Sequence, residues 1–116
     1  MKPLVVALLL LAVGGVATNS EPRPLTGDFV FKGRTPVDPP PDEPQNTHMS
    51  IRLTGESARS LFENMNVPIT ANPCDPDSTA LQKRIGATTC QRDQDVYKCW
   101  FAINVQHQRI EASVAC

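Results

Sequence analysis

The chain has 116 residues and a formal charge of −1, so there is room for one small domain and no electrostatic footprint for nucleic acid or a polybasic membrane patch. Residues 47–116 hold five Arg and two Lys against four Asp and three Glu, which makes that part neutral by itself.

Met1-Lys2 is a short basic start, Leu4–Val13 is an unbroken apolar run, and small residues follow through Ala17. This is the pattern of an export signal over 1–17, with cleavage after Ala17 and a mature chain from Thr18. An apolar run ending at Val16 is short against the roughly 20 residues a membrane-spanning helix needs. The first cysteine is Cys74, too distant for a lipid anchor on the mature N-terminus. The expected location is therefore secreted or periplasmic, with no stable membrane anchor once the signal is removed.

Residues 18–46 carry seven prolines and read as a proline-rich, disordered linker. Within it Thr35–Gln45 should be extended and water-exposed in a polyproline conformation. The exception is Gly27–Gly33, where Phe29, Val30 and Phe31 form a β-prone cluster between two glycines. It either docks on the sheet as an edge strand, or is offered to a partner, or is disordered.

The composition changes near Thr47, and 47–116 reads as the folded domain. Met49–Leu53 alternates like a short strand. Thr54-Gly55-Glu56 then starts a helix, and Ala58, Leu61, Phe62 and Met65 form its apolar stripe. Asn66 and Pro68 end it. Residues 69–82 read as a loop, with a turn of helix expected over Ala80–Lys83. Three runs follow: Ile85–Gln91, Tyr97–Val105 and Ile110–Cys116. Period-two patterning puts Tyr97, Cys99, Phe101, Ile103 and Val105 on one face of the middle run, with Ile110, Ala112, Val114 and Cys116 on one face of the last. The expected fold is α+β: a three-stranded C-terminal antiparallel meander plus an N-terminal strand, one short helix packed on the sheet, and two disulfides. That element order is shared by several small inhibitor and binding folds, cystatin-like ones among them. The glutamine-valine-glycine hairpin of cystatin-type inhibitors is absent.

Four cysteines in an exported chain of this size point to disulfides, and their spacing fits neither a zinc site nor a redox C-x-x-C. Matching Val105 with Ile110 sets Cys99 opposite Cys116, and burying Ile85 and Ala87 sets Cys90 opposite Trp100. The pairing expected first is thus Cys99–Cys116 with Cys74–Cys90. The rival is Cys90–Cys99 with Cys74–Cys116, which on this reading would turn Trp100 toward the core.

No catalytic, cofactor or metal motif is legible. His48 lies at the domain edge, His107 lies in a turn, and the close pairs Asp75/Asp77 and Asp93/Asp95 read as turn formers. Trp100, pointing off the buried face, is a candidate anchor for a partner unless the 69–82 loop or Phe29–Phe31 covers it. Phe29 and Phe31 complete the candidate binding residues. These features suggest a non-catalytic protein-binding or inhibitor-type module with a protein partner. A small hydrolase with an unrecognised site and a structural envelope accessory protein are the alternatives.

Overall fold

Strand β1 (Gly27–Lys32) leads into β2 (His48–Thr54), and helix α1 (Gly55–Asn64) follows β2 with no intervening loop. Short β3 (Thr70–Ala71), β4 (Leu81–Ile85), β5 (Thr88–Asp93), β6 (Val96–Asn104) and β7 (Arg109–Glu111) complete the order. These elements come from a computed structural model that describes residues 20–113. The expected leader Met1–Ala17 and the last cysteine, Cys116, lie outside the described residues. All seven strands form one antiparallel sheet in the order β1-β2-β6-β5-β4-β3, with β7 continuing the β5 side of β6. One helix on an antiparallel sheet is the α+β layer the sequence suggested, with more strands than expected.

The additional strands correct the reading in three places. First, of the three outcomes open to Gly27–Gly33 the structure takes the edge strand: Gly27–Lys32 pairs with β2 along its whole length, Phe29 opposite Ile51 and Phe31 opposite Met49, so the sheet begins upstream of Thr47. Residues 33–47 form the connection. They turn at Pro40–Glu43 rather than running extended, and Thr35 donates its N–H and hydroxyl to the Glu43 carboxylate at 3.1 and 2.8 Å. Second, Ala80–Lys83 is not a helical turn, because Leu81–Ile85 is strand β4. Third, the run Ile85–Gln91 is broken by a two-residue turn at Gly86-Ala87 that sets Ile85 against Thr88. Gly86 adopts φ +55°, a left-handed conformation that glycine reaches without steric cost.

That turn resets the register, and with it the disulfide. Cys90 lies opposite Cys99, with 4.0 Å between their Cα atoms, and the two are bonded. One disulfide is seen among the described residues, and the pairing of Cys99 with Cys116 and of Cys74 with Cys90 is overturned. The last hairpin is also displaced: Ile110 faces Ile103, two residues from the expected Val105. Asn104 closes this turn, its carbonyl accepting from the Gln108 N–H (2.9 Å) and its side-chain oxygen from the His107 N–H (3.0 Å).

Helix α1 crosses the strands over a single cross-strand row, Leu53–Cys99–Cys90–Lys83. Ala58, Phe62 and Met65 press onto it, and this group with Leu53 and the disulfide forms the buried core. The helix has no basic residue in its own last turn. Lys83 supplies that charge from β4, donating from Nζ to the carbonyls of Phe62 (2.9 Å) and Met65 (3.1 Å) while lying over the Phe62 ring. A cation at a helix C-terminus satisfies carbonyls that have no partner within the helix and opposes the negative dipole end. Lys83→Met should lower stability by about 1–3 kcal/mol, measured by urea denaturation with the disulfides intact; an unchanged midpoint would show that the helix end does not depend on it.

Candidate functional site

A helix is about 10 Å wide, and residues on one face of a strand repeat about every 7 Å. Helix α1 therefore covers one row fully and its neighbours in part, whereas β6 presents four residues to that side: Tyr97, Cys99, Phe101 and Ile103. Of these only Cys99 is buried. Two apolar rows lie beside α1 and parallel to it. One is Phe29–Ile51–Phe101, and the other is Phe31–Met49–Ile103–Ile110. Phe29, Phe31 and Ile110 are 61%, 47% and 55% exposed, and the other four are half-buried. Phe29 and Phe31 meet edge to face at 6.2 Å. A small hollow of about 120 Å³ opens between β1 and β2, lined by Leu25, Phe29, Met49, Ile51 and Leu53 among others. The meander face expected to be buried is thus buried only under the helix. Seven contiguous apolar side chains on four strands exceed the scattered exposure of an ordinary surface.

The opposite face is polar. Trp100 points to it, flanked in one cross-strand row by Arg52 and Thr89, and it is half-buried. The outward direction read from β6 alternation holds, even though Cys90 and Cys99 are joined. The inward turn expected with that bond does not occur, because the hairpin shift moves Cys90 and leaves the pleat of β6 unchanged. Trp100 and the Phe29/Phe31 pair therefore occupy opposite faces and do not form one patch. Alternation alone puts Phe101, Ile103 and Ile110 on the buried face. The signal that they are incompletely covered is the length of the helix set against the length of β6.

At the far end of the polar face His48 is buried, with Nδ1 2.8 Å from the Thr47 hydroxyl and Nε2 2.5 Å from the Glu111 carboxylate. The other Glu111 oxygen accepts from Arg109 (2.8 Å) and Asn104 (3.1 Å). A shallow cleft of about 350 Å³ adjoins them, lined by Arg34, Glu43, Thr47, His48, Asn104 and His107 among others. A hydroxyl, an imidazole and a carboxylate in line resemble the parts of a hydrolase, but both carboxylate oxygens are engaged by side chains from three strands. The arrangement ties β7 to β2 and β6. Asp75 N-terminal to its turn and Asp93 at the end of β5 serve locally, Asp75 accepting from the Asp77 N–H and Asp93 from the Thr79 hydroxyl. Among the described residues no group of three or more His, Cys, Asp or Glu could hold a metal ion, and no helix is long and apolar enough to cross a membrane.

Comparison of the chain with protein-family models, curated proteins and solved structures finds no match.

The Arg109 guanidinium, then Asn104 and His48, hold the Glu111 carboxyl down to a pKa of about 2 from 4.5. A carboxylate with a depressed folded-state pKa contributes stability above its unfolded value and loses it as pH falls toward the folded one. Stability should therefore decline between about pH 4.5 and pH 2, and Glu111→Gln should flatten that decline while costing stability at pH 7. Denaturant midpoints at a series of pH values test this; identical acid limbs for both proteins would remove Glu111 as the cause.

Proposed function

We propose that this protein is a non-catalytic protein-binding module of the exterior or periplasm, and that it makes its contact with the half of the sheet that α1 leaves open. The carrying observation is the two parallel apolar rows, Phe29–Ile51–Phe101 and Phe31–Met49–Ile103–Ile110, beside a helix that already shows what covers such a surface. An apolar helical face laid alongside α1 is the complementary partner, since it would bury both rows at ordinary helix-to-helix spacing. The leader-like start and four cysteines support export, and the Cys90–Cys99 bond is consistent with an oxidising compartment.

The reading is tested with two variants on opposite faces. Met49→Ser/Ile110→Ser should lower enhancement of 1-anilinonaphthalene-8-sulfonate fluorescence severalfold. It should also weaken retention of a stoichiometric partner from the export compartment tenfold or more, since each buried apolar side chain contributes on the order of 1.5–3 kcal/mol. Trp100→Ala should leave both near wild type. Loss of binding with Trp100→Ala and retention with the double variant would move the site to the polar face and overturn the assignment.

A further inference from the structure

Strand β1 is an edge of the sheet, and its chemistry is nearly symmetric about its centre: Gly27-Asp28-Phe29-Val30-Phe31-Lys32-Gly33. The Thr54 N–H donates to the Thr26 carbonyl at 3.1 Å, which with the Gly27↔Leu53 register makes the even-numbered residues of β1 the ones bonded to β2. The N–H and C=O groups of Phe29 and Phe31 consequently point away from the sheet. Among the described residues no strand pairs with that side. A long apolar edge of this kind is a template for another strand.

We infer that the strand pairing there is β1 of a second copy, antiparallel, with the two-fold axis at Val30. The reason is self-complementarity. Only registers that match odd with odd residues bring the outward donors and acceptors together. Of these, the registers centred on Val30 and on Phe29 each overlap five of the six residues of β1, and only the one centred on Val30 sets Asp28 opposite Lys32. It places Phe29 opposite Phe31 of the other copy, twice, with four backbone hydrogen bonds between these residues. It also places Asp28 opposite Lys32 of the other copy, twice, on the polar face. Opposite charges and aromatic pairs directly across an antiparallel ladder are mutually stabilising, and like charges there are destabilising. The intrachain Phe29–Phe31 contact becomes a cluster of four rings, and the sheets of the two copies join into one. Asp28 already bonds Arg52 within its own chain. Arg52 engages both oxygens of that carboxylate, and the incoming Lys32 adds a second cation beside it. This interface uses the strand edge, so it goes beyond the partner-binding face and stands or falls separately from it.

The test is sedimentation equilibrium of the oxidised, exported chain and its charge variants, with circular dichroism confirming that each is folded. The wild type should dimerise reversibly. Asp28→Lys alone and Lys32→Asp alone each set like charges opposite one another twice, and each should raise the dissociation constant about tenfold or more. Mixed in equal amounts, the two variants should recover wild-type affinity as a heterodimer, because every cross-strand pair is then Lys opposite Asp. Phe31→Pro removes an outward N–H without touching a β2 bond, and should give a folded monomer. A wild type that stays monomeric at hundreds of micromolar overturns the inference. So does a mixture that associates no better than its components, or Phe31→Pro dimerising like wild type. If a charge variant fails to fold, Phe31→Pro against wild type still decides the outcome. None of these readouts depends on partner capture by Met49 and Ile110.

Discussion

Everything on one side of the sheet follows from where α1 lies. The helix rests on the row Leu53–Cys99–Cys90–Lys83, and each member of that row does something different for it. Leu53 and the disulfide provide the apolar floor under Ala58 and Phe62. Lys83 reaches up to the last carbonyls, so the strand that the helix runs toward also terminates it electrostatically. The entry is just as constrained. Gly55 takes φ +54°, which lets the chain pass from strand to helix without a loop, and the Thr26 hydroxyl donates to the Thr54 carbonyl at 2.6 Å while the Thr26 N–H donates to Ser57. Ten helical residues can satisfy one row of the sheet fully, and they leave the next two only partly covered, Ile51 and Phe101 packing against the core while Phe29, Phe31 and Ile110 stay exposed.

That shortage of helix is the link from fold to function. A small domain usually buries the inner residues of its strands, because apolar area removed from water is the main favourable contribution to folding. Here Phe29, Phe31 and Ile110 stay largely exposed while Phe62 and the disulfide cysteines on the covered row are buried. The open rows and the open edge of β1 share Phe29 and Phe31, so one stretch of sequence contributes to both surfaces. The polar face has a different organisation. Residues 33–47 fold back through Glu43 and Thr35, and the Glu43 carboxyl is held below its ordinary pKa first by the Thr35 hydroxyl. His48 and Glu111 lock β7 in place at the same end.

The cysteines show how one turn controls covalent structure. With Gly86-Ala87 as a two-residue turn, β5 begins at Thr88, Cys90 faces Cys99, and both point under the helix. Treating Ile85–Gln91 as one strand slides Cys90 by one residue and reverses its face. A one-residue slip in a ladder always has that consequence, since side chains alternate with period two. In the final hairpin the Val105–Ile110 match differs from the observed register by two residues, which changes the partners of Ile103 and Ile110 but not their faces.

Local chemistry alone determined several elements. The i, i+3, i+4, i+7 stripe of Ala58, Leu61, Phe62 and Met65 specified the helix, and strict alternation specified β2, β6 and the outward direction of Trp100. These depend on periods of 3.6 and 2.0, which neighbours in sequence fix by themselves. Whether Phe29–Phe31 docks could not be read locally, because a β-prone triplet forms a strand only when a partner ladder supplies its hydrogen bonds, and β2 is some twenty residues away. The same holds for Leu81–Ile85, whose strand geometry depends on β5 and on the carbonyls of α1 that Lys83 meets. Register, disulfide pairing and the uncovered rows were decided in three dimensions. Each is a relation between segments distant in the chain, set by turn geometry and by the width of one helix.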